Sequence, residues 1–155
     1  MSLRSLEAFP DQAAALLALA HSAKPGAWLA IFDYTDPGTF GDSKLAKHAE
    51  LQRWNPLKLS SVDTLLTEAG WSLDLIRDVT ADYTRWYRNL VTRIHELRPK
   101  LVQECGLETW EYAANFYESM HETLRTGGMG GAIVYARRKV HNSQTLPSAR
   151  RALGA

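Results

Sequence analysis

The run Lys24-Pro25-Gly26-Ala27-Trp28-Leu29-Ala30-Ile31-Phe32-Asp33-Tyr34 sets the fold class of this chain. Lys-Pro-Gly stops a helix, because proline has no N–H to donate and glycine tolerates the backbone of a tight turn. From Trp28 to Tyr34 the residues are almost all apolar and are bounded by turn residues. That is the pattern of a strand covered on both faces, as in parallel sheets. Upstream, Pro10 and Asp11 open a helix, with Asp11 a good cap; Leu16, Leu17, Leu19 and the alanines give it an apolar face.

Downstream, residues 35–59 hold two Gly and two Pro among many polar groups. They read as an irregular excursion with a short helix around Ser43 to Gln52; excursions of this length inside a domain are usually functional. Ser60 or Ser61 caps a short helix, Val62 to Ala69, which Gly70 ends. Trp71 to Val79 reads as a second strand, with Leu73, Leu75 and Arg77 alternating with Asp74, Ile76 and Asp78. Tyr83, Trp86, Tyr87, Leu90, Val91, Ile94 and Leu97 then form one stripe of an amphipathic helix, which Pro99 ends or kinks. A second helix carries Trp110, Ala113, Ala114, Tyr117, Met120, His121 and Leu124 at the same spacing. Gly127 to Gly131 break it, and Ala132 to Ala136 is a third strand. Helix, strand, helix, strand, two helices, strand predicts an α/β layered domain over residues 1–139, with 140–155 a polar, mobile tail.

Composition narrows the function classes. The 155 residues are 45% hydrophobic and 23% charged, with a formal charge of +1, so one globular domain is expected and no bulk field recruits nucleic acid or an anionic membrane. Cys105 is the single cysteine. An internal disulfide framework is therefore excluded, which agrees with a reducing cytoplasm. Glu104 beside it disfavours a thiolate, so Cys105 reads as a structural thiol near a helix end. His21, His48, His95, His121 and His141 are scattered without metal-ligand spacing, so no metal site is expected. There is no nucleophile elbow and no phosphate loop. The segment Ala13 to Ala20 is far too short to span a bilayer. Arg137-Arg138-Lys139 reads as a solvated strand end.

Order and punctuation together resemble the second half of the class I S-adenosylmethionine-dependent methyltransferase fold. Lys24-Pro25-Gly26-Ala27 is similar to the turn before that family's fifth strand, and Ala69-Gly70 to the pair before its sixth. Ala132 to Ala136, followed by Arg137-Arg138-Lys139, looks like the seventh strand, which inserts antiparallel between the other two. The long helices over 80–97 and 108–131 resemble small-molecule N-methyltransferases of the sarcosine/dimethylglycine and phosphoethanolamine type. Ser5 to Asp11 looks like the segment just after strand four. The resemblance implies a partial Rossmann-like fold, a three-stranded mixed sheet in the order five, seven, six, and S-adenosylmethionine as cofactor. The family's glycine-rich turn between its first strand and helix is not found in these residues, so cofactor binding by the chain alone is not expected.

Methyl transfer from a sulfonium is a direct displacement that needs proximity and alignment. An amine acceptor arrives neutral and becomes cationic, which aromatic faces and carboxylates stabilise. Ligands in open α/β sheets bind beyond the carboxyl ends of strands, where Asp33 and Tyr34 sit. The candidate acceptor-site residues are Asp33, Tyr34, Trp54, Tyr83, Trp86, Tyr87 and His121. Asp36, Trp110, Tyr112 and Tyr117 belong to the same inventory of carboxylates and rings. Stripes at helical spacing are usually core, so for Trp86, Tyr87 and Tyr117 packing competes with ligand contact. The expected activity is acceptor binding for a small amine within a methyltransferase; the alternative is a non-catalytic module holding a ligand or partner protein on its aromatic surface. The outer edge of Trp28 to Tyr34 has no strand four to pair with. A homo-oligomer built at that edge, or a chain supplying the missing half, is therefore expected, against the plainer alternative of a helix or the N-terminal segment folding over the edge.

Overall fold

Asp11 starts α1 (Gln12–Ser22) by accepting the Ala14 N–H at 2.8 Å, and Leu16 and Ala20 are its buried residues. The computed structural model of the protein describes residues 2–4, 6–52 and 54–140, and the tail from His141 lies outside them. Leu17 is 43% exposed, so the inward side of α1 is narrower than its run of leucines suggests. After the Lys-Pro-Gly turn, where Gly26 takes φ +76°, the chain enters β2 (Trp28–Asp36). A 3-10 turn (Phe40–Asp42) and α2 (Lys44–Gln52) occupy the excursion. Then follow β3 (Leu57–Lys58), α3 (Val62–Glu68) and β4 (Trp71–Asp78). Three helices, α4 (Thr80–Glu96), α5 (Arg98–Cys105) and α6 (Leu107–Arg125), lead to β5 (Gly130–Arg138). Pro99 sits in the first turn of α5, where its missing N–H costs nothing, so it opens a helix as well as closing one. Cys105 ends α5 in an exposed position, its thiol donating to the Leu101 carbonyl at 3.0 Å.

The three long strands lie in the expected order. β5 sits between β2 and β4 and is antiparallel to both, running from Thr35↔Gly130 to Trp28↔Arg137 on one side and from Asp78↔Ala132 to Trp71↔Arg138 on the other. Two short strands extend the sheet to five. β1 (Ser2–Arg4) pairs parallel with Ala30–Phe32, and β3 pairs parallel with Thr35 and Asp36. The outer edge of β2, expected to be unpaired, is therefore occupied by the chain's own segments. Backbone N–H and C=O groups left on an apolar strand are costly, and three residues of β1 and two of β3 supply their partners at little entropic cost.

The alternation proposed for β4 holds only in its first half. The register shifts between Leu73 and Leu75, a bulge at Asp74. One extra residue reverses the facing of everything beyond it. Leu75 is consequently 53% exposed, while Ile76 packs against the core.

That core lies on one face of the sheet. Leu29 and Ile31 of β2, Val134 and Ala136 of β5, and Trp71 of β4 pack against Leu16 and Ala20 of α1 and Val62 and Leu66 of α3. The Trp71 indole is fully buried and donates to the Leu16 carbonyl at 2.9 Å, which locks β4 to α1. Arg138 bridges the same layer by donating to the carbonyls of Ala20 and Gly70, both at 2.8 Å. On the second face Ala30, Phe32 and Tyr34 are half-buried and Trp28 is exposed, so β2 is not covered on both sides as its composition suggests. The reason is the placement of α1 and α3 on one face; on the other, Tyr83 of α4 and Trp54 meet Phe32 and Tyr34 near the carboxyl end of β2.

Trp71→Ala removes a fully buried ring and leaves the Leu16 carbonyl without its indole partner. A stability loss of about 3–5 kcal/mol is expected in a urea titration; a loss below about 1 kcal/mol would contradict this packing.

Candidate functional site

The entry to α4 is tied to the sheet at three points, one on β4 and two on β5. The Asp78 carboxylate accepts the Thr80 N–H at 2.7 Å. The Val79 N–H donates to the Gly131 carbonyl at 2.9 Å, and the Gly131 N–H donates to the Thr80 hydroxyl at 3.1 Å. The Thr80 hydroxyl and amide, by hydrogen-bonding the Asp78 carboxylate, hold its pKa below the usual aspartate value. One turn further, the Tyr83 ring lies flat against Gly131: a Cβ on that glycine would come within 2.7 Å of a ring carbon. Glycine at 131 is thus a packing requirement of the site.

These contacts carry three aromatic side chains of α4, Tyr83, Trp86 and Tyr87, to the carboxyl end of β2. The Tyr34 ring stacks on Trp54 at 5.2 Å and 23°, and meets Tyr83 edge-on at 5.3 Å and 70°. The Tyr34 and Tyr87 hydroxyls are hydrogen-bonded to each other. Trp86 meets Tyr87 at 4.8 Å and 89° and is 56% exposed, leaving indole surface open. Together with Phe32, Val79 and Ile133, the rings of Tyr34, Tyr83, Trp86 and Tyr87 line a cleft of about 490 Å³ whose charged lining groups are Arg77 and Asp82. Phe116 of α6 closes on Trp54 from behind, with centroids 6.3 Å apart.

Of the residues expected from sequence, Tyr34, Tyr83, Trp86 and Tyr87 converge on this cleft, and Trp54 backs it. Asp33 lies elsewhere. It is 3% exposed, on the opposite face of β2, and accepts the N–H groups of Glu7 at 3.1 Å and Tyr34 at 2.8 Å. Asp36 accepts the N–H groups of Gly38 at 2.7 Å and Phe40 at 3.1 Å, so it shapes the following turn. His121 belongs to a separate hollow between α4 and α6. Tyr117 packs behind Tyr87 at 6.3 Å. Trp110 donates to the Ile94 carbonyl at 3.3 Å, with the Arg98 guanidinium over its ring at 4.8 Å, and Tyr112 is exposed. Sequence reasoning missed Phe32, Arg77, Asp82 and Ile133. Arg77 and Ile133 are cross-strand partners, and the bulge that decides which way Arg77 faces leaves no composition signal.

No group of three or more histidine, cysteine or acidic side chains suited to a metal occurs among the described residues. The turn after β2, where Gly38 takes φ +102°, is the glycine-containing loop nearest the carboxyl end of that strand. A Cβ there would meet nothing, and the N–H groups of the turn are taken up by Asp36. A cradle for a cofactor needs close backbone approach and free donors. The turn after β2 does not form one.

No protein-family model and no curated protein matches the chain. Solved structures do. A sarcosine dimethylglycine methyltransferase candidate from Galdieria sulphuraria superposes with TM-score 0.78 at 15% identity, over 89% of this chain and 52% of that one. Phosphoethanolamine N-methyltransferase 2 of Haemonchus contortus, in complex with phosphomonomethylethanolamine and S-adenosylhomocysteine, gives TM-score 0.80 at 10% identity, over 90% and 33%. A cyclopropane synthase from Mycobacterium tuberculosis gives 0.79 at 12%, over 88% and 55%. The chain has the S-adenosylmethionine-dependent methyltransferase fold, and it spans about half or less of the length of these structures.

Because the Asp78 pKa is lower folded than unfolded, its charge stabilises the protein above the ordinary aspartate range. That contribution is lost as pH falls from about 4 through the lowered folded value. Asp78→Asn keeps the capping oxygen and removes the charge. Wild type should exceed the variant in melting temperature near pH 7, the gap narrowing towards about pH 3. A gap independent of pH would show that the charge plays no part.

Proposed function

We propose that this chain carries the acceptor-binding half of an S-adenosylmethionine-dependent methyltransferase and that its acceptor is a small amine. The observation that carries the reading is the cleft itself. Tyr34, Tyr83, Trp86 and Tyr87 gather at the carboxyl end of β2, where open α/β sheets place their ligands. An amine gains positive charge as its nitrogen–carbon bond forms. Each aromatic face within about 6 Å stabilises that charge by about 0.5–2 kcal/mol, more as water is excluded. Asp82, which also pairs with Arg85, and Arg77 bring charges of both signs to the lining, so the rings carry the stabilisation, and their ring-on-ring packing holds the pocket in shape. The solved neighbours include a cyclopropane synthase alongside N-methyltransferases, so the choice of an amine rests on these rings.

In this reading S-adenosylmethionine is held by residues outside these 155, in the same polypeptide or in another chain of a cytoplasmic assembly. The half-buried second face of the sheet, with Phe32, Ile133 and Tyr135, suits such a layer, since mixed sheets of this kind are normally covered on both sides. A homo-oligomer joined through the same face fits as well. The turn after β2, whose N–H groups are taken up by Asp36, favours one second reading: the cleft binds a cationic ligand without chemistry by this chain.

Tetramethylammonium is a direct probe of the cleft. Titration followed by tryptophan fluorescence should saturate, and Trp86→Ala should weaken binding by roughly 2- to 30-fold. Trp110→Phe, remote from the cleft, should leave the affinity unchanged. The chain alone should transfer no methyl group to sarcosine or phosphoethanolamine above a no-enzyme control. A titration without saturation would remove the basis for an amine acceptor.

A further inference from the structure

α4 has a second lined hollow on the side away from the aromatic cleft. Asp82, Tyr83, Trp86 and Tyr87 face the cleft, whereas Thr84, Arg85 and Arg88 face α6 across a hollow of about 480 Å³. His121 and Arg125 of α6 complete its polar lining. Three guanidinium groups and an imidazole therefore surround one space, and no carboxylate lines it.

The acidic residues nearby orient these cations from outside the hollow. Glu122 takes the Arg125 guanidinium through Nε at 2.8 Å and Nη2 at 2.7 Å, which leaves the two Nη1 protons for another acceptor. That pairing lowers the Glu122 pKa, with smaller contributions from His121 and from Lys44 of α2. Lys44 thus acts on the same neighbourhood from a third helix. Asp82 holds Arg85 in the same i,i+3 manner. Arg88 has no ion-pair partner among the described residues. Four permanent cations therefore stand against two carboxylates, and like charges gathered in this way repel unless an anion joins them.

We propose that the hollow between α4 and α6 binds the phosphate group of a small soluble molecule, with Arg88 and Arg125 supplying the principal donors. A guanidinium presents paired N–H groups that match two oxygens of one phosphate, and a phosphate monoester has three charged or strongly accepting oxygens to share. A carboxylate has two oxygens and one charge, so it matches fewer of these donors and less of their charge than a phosphate monoester does. Arg85 supplies a third cation, and His121 closes the α6 side. Because α4 separates this site from the aromatic cleft, the phosphate binds apart from the proposed acceptor nitrogen and occupancy of one does not require the other.

Inorganic phosphate is the probe. It is titrated into the full chain at constant ionic strength set with chloride, and backbone amide shifts are followed by NMR. Saturable shifts confined to residues 81–88 and 121–125 are expected. Arg88→Gln and Arg125→Gln should each weaken binding by about tenfold, the loss of one charge-assisted contact. Arg93→Gln, further along α4 and paired with Glu96, should change nothing. Shifts that fail to saturate, that scatter over the surface, or that weaken equally in Arg93→Gln would overturn the proposal.

Discussion

Everything in this molecule depends on the antiparallel insertion of β5. β2 and β4 run in the same direction, yet they do not pair with each other; β5 lies between them and is hydrogen-bonded to both. A parallel pair would need a crossover feeding the neighbouring strand directly. Here the chain instead travels out through α4, α5 and α6 and returns to fill the gap. The long-range pairing is entropically expensive to close. It is offset by burying Val134 and Ala136 in the middle of the core and by pairing both edges of one strand.

The same insertion creates the cleft. β5 enters the sheet through Gly130 and Gly131, and the second glycine leaves room for the Tyr83 ring. Thr80 reaches back to Gly131, so the first turn of α4 cannot drift from the sheet. With that turn held, Tyr83 and Tyr87 meet Tyr34 at the end of β2, and the hydroxyl pair of Tyr34 and Tyr87 ties strand to helix. Any side chain at 131 would push Tyr83 away and loosen the wall of the cleft. The cleft and the fold therefore share one set of contacts, which places the proposed ligand site on rigid elements instead of on the excursion alone.

Much of this was legible in the residues. Periodicity located α4 and α6, turn chemistry located both ends of α1, and the apolar runs located β2 and β5. The central position of β5 followed from resemblance in the order of landmarks. The aromatic half of the site was legible because rings near one strand end are few. What stayed hidden depends on register and tertiary packing. Nothing in Trp71 to Asp78 marks the extra residue at Asp74, so Leu75 and Ile76 exchanged faces. Asp33 sits at the right height on β2 but on the wrong side, because alternation sends it towards Glu7 while Tyr34 turns to the cleft. His121 lies in the right helix, yet around the axis from the rings. The short strands β1 and β3 are three and two residues long, below any periodic signal, and they occupy the edge of β2 that composition alone leaves open.

Interproton contacts in solution test the arrangement most directly. With selective labelling of aromatic and strand residues, the Phe32 and Arg77 backbones should each show cross-strand contacts to Ile133, and the Tyr34 ring should contact both Tyr83 and Tyr87. Contacts running directly between the backbones of β2 and β4, with Ile133 outside them, would contradict the insertion of β5 and the cleft built upon it.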